Sequence, residues 1–172
     1  MNFVVPDFYP AAAEIFVAVM ALVIMLASTF ARSIARNLSY FLTQATLIGA
    51  AFITILTMEG EVVHTFSNMF IGDLMGDFLK LMIYFSTAIA LLYGRGYLAD
   101  RKIDKPEYYL LALLMTLGMM VMVTANHMLP MYIGLEMMSL ALYTMVAFDR
   151  DSPRATEAAM KYFVLGALAS GL

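Results

Sequence analysis

Residues 106–148 read PEYYLLALLMTLGMMVMVTANHMLPMYIGLEMMSLALYTMVAF. Past Glu107, a single charged side chain, Glu136, interrupts them. Two apolar runs flank Asn126 and His127, each close to the ~20 residues that a helix needs to cross the hydrocarbon core of a bilayer. Pro106 and Pro130 stand at the openings of the two runs, where a helix has amide donors to spare. The stretch therefore predicts two antiparallel membrane helices, over about 107–125 and 128–148, with Asn126 and His127 in the tight turn between them.

The pattern extends outward on both sides. Upstream, apolar runs over about 11–31, 38–58 and 74–93 predict three more helices, the third preceded by a polar stretch holding Glu59, Glu61, His64, Asn68 and Asp73. Downstream, Ser152 and Pro153 read as the N-cap and first position of a sixth helix that continues to Leu172. Of the 172 residues 63% are hydrophobic and 13% charged, and the mean hydropathy is +0.83. Soluble domains are roughly half apolar and a quarter charged, so a water-soluble globule could not bury this much apolar surface. The fold class is all-α: a polytopic transmembrane bundle of about six helices, in one domain over 1–172. The 17 Met serve as apolar filler in such a chain.

The basic residues give an orientation. Arg32 and Arg36 follow the first helix, Arg95, Arg101, Lys102 and Lys105 the third, Arg150 and Arg154 the fifth, and the alternate loops hold no Lys or Arg. Positive loops are retained on the cytoplasmic side, which sets the N-terminus and the Glu59 to Asp73 segment outside. The first residues lack the basic region of a cleaved signal, so the first helix is expected to stay in the mature protein.

Several chemistries are excluded as expectations for this chain. Without Cys it has no disulfide, thiolate metal site or iron–sulfur ligation of its own. His64 and His127 lie far apart and neither has a second imidazole at ligand spacing, so no metal site is expected. The formal net charge is −3 and no basic face suggests nucleic acid.

Attention falls on the ionisable residues at bilayer depth, which cost a few kcal/mol or more each and mark functional sites by default. Glu136 stands eight residues into the fifth helix, roughly 12 Å along its axis. Tyr132, Ser139 and Tyr143 lie at i−4, i+3 and i+7, a polar stripe on one face that could carry water or protons. Desolvation and a nearby cation act in opposite directions on a carboxyl's proton affinity, so a Glu near a Lys suits a proton relay. The alternative is a carboxyl that only locks helix packing.

Lys161 lies about one and a half turns into the sixth helix, roughly 8 Å, with Glu157 as its i−4 partner. Two readings stay open: a structural surface pair, or a step between the cytoplasmic side and Glu136, from which Lys161 would differ by about 10 Å in depth. Asp77 and Lys80 begin the third helix as an i,i+3 pair, with Lys80 long enough to reach the outer surface, and they read as structural. Glu14 reads as a terminus charge of the first helix. Gly166, Ala167, Ser170 and Gly171 give the small-residue spacing of close helix contact.

The motifs YYLLALL, ANH, GLE followed by MSLALY, and the closing EAAMKYFVLGALASGL resemble the subunit N family of bacterial respiratory complex I. These subunits are counterparts of mitochondrial subunit two and belong to the antiporter-like proteins shared with Mrp sodium/proton antiporters. The resemblance implies proton movement at the Glu of the fifth helix and the Lys of the sixth, hence at Glu136 and Lys161, with Tyr132, Ser139, Tyr143 and Glu157 in support. It also implies a bacterial inner membrane and, as partners, the other membrane-arm subunits of complex I, including neighbouring antiporter-like ones, besides the lipid bilayer. NADH, flavin, iron–sulfur clusters and quinone would be used by the complex, with no cofactor or redox chemistry in this chain. Family members have about fourteen helices, so the chain corresponds to an N-terminal portion. The sixth helix, ending at Ser170, Gly171 and Leu172 without a cap, agrees with that expectation. Alternatives are an Mrp-type antiporter or membrane-bound hydrogenase subunit, and a non-catalytic membrane scaffold.

Overall fold

The computed structural model describes residues 7–30, 35–58, 60, 62–101 and 103–171. Arg32, Glu59, Glu61, Lys102 and Leu172 lie outside the described residues. A short 3-10 turn over Tyr9–Ala11 leads into α1, Ala12–Phe30, followed by α2, Ala35–Thr57. A hairpin of β1, Val63–Thr65, and β2, Phe70–Gly72, precedes α3, Leu74–Asp100. Then come α4, Pro106–Val123, α5, Met128–Val146, and α6, Pro153–Gly171. The chain is a multi-pass membrane protein: α1 to α5 are each long and apolar enough to cross a bilayer, while α6 carries Arg154, Glu157 and Lys161.

Packing centres on α4, which touches α1, α2, α3 and α5, whereas α6 rests on α5. Lipid removes the hydrophobic drive between helices, so close packing and internal hydrogen bonds hold them together. Both are present. A Cβ on Gly118 of α4 would stand 2.7 Å from the Gly134 carbonyl oxygen of α5, so only hydrogen at both positions lets these backbones meet. Buried Thr46, Thr116 and Thr124 return their hydroxyls to the carbonyls of Leu42, Ala112 and Met120 four residues earlier. Between helices, Thr54 pairs with the Tyr84 phenol and Gln44 donates to the Ala88 carbonyl.

Two boundaries differ from the sequence expectation. Helix α2 begins at Ala35 rather than 38, and α3 runs on past Tyr93 to Asp100 through Gly94 and Gly96. Arg95 explains the extension: its guanidinium lies 4.3 Å from the Tyr40 ring centre and donates to Asn37 Oδ1 at 2.8 Å. Tertiary contact at the membrane edge outweighs the low helix propensity of the two glycines. At the same end Arg36 faces Asp104, which also accepts from the Tyr109 phenol at 2.6 Å.

The hairpin closes the opposite end and has no counterpart in the sequence reading. Its turn holds Phe66, Ser67 and Asn68 at φ of 52°, 56° and 68°, a left-handed run that non-glycine residues rarely adopt. Contacts from elsewhere hold it. The Ile71 amide donates to the Thr124 carbonyl at 2.9 Å, Asn126 gives its backbone amide to Met69 O and its side-chain amide to Asn68 O, and Thr65 Oγ1 donates to Asp7 O. The hairpin thus ties the segment before α1 and the α4–α5 turn into one cap.

Candidate functional site

The Gly118–Gly134 contact fixes how α5 is turned. Gly134 and Met138 face α4, and at 100° per residue Glu136 stands ~200° around the helix from Gly134, on the far side. Glu136 and Ser139 are half-buried and Tyr132 is exposed. Among the described residues no hydrogen bond or ion pair holds the Glu136 carboxylate; the ion pairs are Arg36–Asp104, Lys80–Glu14, Lys80–Asp77 and Lys161–Glu157.

Tyr143 marks where the polar stripe meets α6. Its ring makes edge contacts with Tyr162 at 4.8 Å and Phe163 at 5.7 Å, and a Cβ on Gly166 would fall on its hydroxyl. Glu136 is seven residues, ~10 Å, farther from the α5–α6 loop than Tyr143, while Lys161 lies on the loop side of Tyr162. Glu136 and Lys161 therefore do not meet. Helix α6 starts at Pro153 as expected, and counted from there Lys161 is eight residues in, ~12 Å along the axis, deeper than the expected ~8 Å.

The structure joins Lys161 to Glu157 at 2.6 Å, with both side chains about two-thirds exposed on the outer face of α6. Alongside runs a cavity of about 680 Å³ between α4, α5 and α6, lined by Tyr143, Thr144, Phe163 and, at the basic end, Lys105 and Arg150. Chemically, the arrangement offers a carboxyl about 12 Å into α5 with no partner among the described residues, a phenol at the α5–α6 junction and an ammonium held by a second carboxylate.

A second ionisable centre was read only in part: the Asp77–Lys80 pair forms as expected, but its burial and its contact with Glu14 were not foreseen. Lys80, expected to reach the outer surface, is 1% exposed, with its ammonium 2.9 Å from Glu14 Oε1 and 3.3 Å from Asp77 Oδ1. Phe70 of the hairpin lies over it at 5.6 Å. The missed signal was Lys80 lying inside an apolar helix, on the side of the bundle whose loops hold no Lys or Arg, where a paired cation costs less than a solvated one.

Residues 125–172 match the family model described as NADH:quinone oxidoreductase/Mrp antiporter, transmembrane. The NADH-quinone oxidoreductase subunit N of Azoarcus sp. (strain BH72) is 80% identical over 172 residues, all of this chain and 35% of that protein. That similarity runs along the whole length of this chain. The subunit N of Nitrosomonas europaea is 53% identical over 99% of this chain and 36% of its own length. Among solved structures, a chain of respiratory complex I from Thermus thermophilus with bound aureothin superposes with a TM-score of 0.75 at 25% identity, covering 92% of this chain and 34% of that one. The chain spans about a third of the length of the subunit N relatives it matches.

Proposed function

We propose that this chain acts in the membrane arm of an NADH:quinone oxidoreductase, moving protons across a bacterial inner membrane while quinone is reduced in other subunits. Glu136 is the switchable carboxyl and Lys161 an adjoining proton step. Tyr132, Ser139 and Tyr143 line the route between them, and Glu157 holds Lys161 when it is not engaged. The observation that carries this reading is the Glu136 carboxyl, ~12 Å into α5 with no cation or donor on it among the described residues, in a chain similar to subunit N proteins along its whole length.

The outward-facing Lys161–Glu157 pair supports it. A charged pair at that depth is costly against lipid, so this face suits burial against protein. Partners on that reading are further membrane-arm helices and neighbouring antiporter-like subunits. NADH, flavin, iron–sulfur clusters and quinone belong to the complex, and the basic loops after α1, α3 and α5 face the cytoplasm. The test is Glu136→Gln in the assembled complex: proton pumping should fall by more than half while assembly and quinone reduction in uncoupled membranes persist. Full pumping by that variant would overturn the proposal.

A second reading has the same fold in a sodium/proton antiporter, since residues 125–172 match a family that takes in Mrp antiporters. Activity that requires sodium and survives without quinone-reducing subunits would support it instead.

A further inference from the structure

Glu14, Lys80 and Asp77 form a buried cluster whose charges do not cancel. Two carboxylates face one ammonium, with residue exposures of 7%, 1% and 8%. A net negative charge inside a low-dielectric bundle is costly, and a single added positive charge removes it. The geometry shows where that charge can sit. Asp77 Oδ1 accepts a hydrogen bond from Lys80 Nζ, whereas Lys80 lies 2.9 Å from Glu14 Oε1 but outside hydrogen-bond geometry. Glu14 Oε2 is thus buried without a donor, and Oε1 has only the ion pair with Lys80.

Glu14 also lines a cavity. A space of about 260 Å³ lies beneath the hairpin, walled by Phe66 and Phe70 on one side and by Ala125 and Pro130 of the α4–α5 connection on the other. It is large enough to admit water, but its lining is almost wholly apolar, with Glu14 and Thr124 as the polar side chains on it. The charged groups bearing on Glu14 both come from α3, as Lys80 and Asp77, with the Tyr84 phenol beyond them. Around the cavity α4 offers Thr124 and the hairpin offers its aromatic rings.

We propose that Glu14 is a proton-binding site, distinct from Glu136 and Lys161, that exchanges with water on the hairpin side of the membrane through this cavity. Uptake converts the Glu14 carboxylate and one proton from water into the neutral acid. Lys80 and Asp77 then remain as a balanced pair. A neutral acid costs far less to keep in this interior than a carboxylate does.

The experiment is infrared spectroscopy of the full 172-residue chain in phospholipid vesicles, following protonated-carboxyl absorption at neutral pH in H2O and after transfer to D2O. Wild type should show a band that Glu14→Gln removes and Glu136→Gln retains. Asp77→Asn should also remove it with Glu14 in place, because Glu14 and Lys80 then balance; this arm holds even if Glu14→Gln fails to fold, with helicity checked by circular dichroism. Ala125→Phe, which fills the cavity, should slow deuterium exchange of the band by an order of magnitude. A band that persists in Asp77→Asn, or one whose titration moves with sodium, would overturn the proton assignment. Exchange in Ala125→Phe as fast as in wild type would overturn the access route. None of these readouts depends on the role of Glu136, so the site stands or falls separately from the proposed function.

Discussion

Replacing Gly118 with alanine tests the contact that orients α5. The new Cβ would lie 2.7 Å from both the Gly134 carbonyl oxygen and the Met138 amide nitrogen, where ordinary contact begins at 3.4 Å. The helices must separate by roughly 0.7 Å, and both obstacles are backbone, which cannot swing aside as a side chain would. Overpacking of this kind costs about 1–3 kcal/mol, and a backbone clash belongs at the upper end, near 3. The assay is unfolding of the micelle-embedded chain by increasing sodium dodecyl sulfate, followed by far-ultraviolet circular dichroism. Gly94→Ala is the control of opposite sign: nothing lies within 4 Å of its would-be Cβ, so better helix propensity should leave stability unchanged or raise it by up to ~1 kcal/mol. If Gly118→Ala and Gly94→Ala unfold at the same midpoint, α4 and α5 do not meet through these glycines. The placement of Glu136 away from α4 would then fall with them.

Other substitutions separate the two lysines. Lys80→Met strands the buried Asp77 carboxylate and should cost about 3–5 kcal/mol in the same unfolding assay, with much of the loss recovered by adding Asp77→Asn. Lys161→Gln breaks a pair with both side chains about two-thirds exposed and should change stability by less than ~1 kcal/mol, while proton pumping by the complex falls. Asp73→Ala removes the N-cap of α3, whose carboxylate accepts from the Gly76 amide at 2.8 Å, and should cost about 0.5–2 kcal/mol. Gly166→Leu displaces the Tyr143 hydroxyl, so amide exchange should accelerate across α6 and not across α1 to α4.

The helices were legible because each is an apolar run of membrane length bounded by Pro, Asn or charge, and that signal is local. The hairpin was not. Its strands are three residues each, its turn lacks glycine, and its bonds go to Asp7, Thr124 and Asn126, all distant in sequence. Helix α3 was cut short for the same reason, since the partners of Arg95, Asn37 and Tyr40, stand on another helix. Glu136 could be singled out by depth alone. Glu14 could not, because three residues into a helix an acid looks like a favourable terminus charge until Lys80 is brought against it.

That meeting of Glu14 with Lys80 bears on how the chain is made. Synthesis delivers Glu14 to the membrane sixty-six residues before Lys80, so the first helix arrives carrying an acid that has no cation. Nor can the hairpin close over the pair until Thr124 and Asn126 have emerged to receive it. The first helix is therefore held provisionally, and its final seat is set only when the third has entered and the fourth has turned back. The earliest of these contacts to be complete in the chain is thus Glu14 with Lys80, and the cap over both needs residues as late as Asn126.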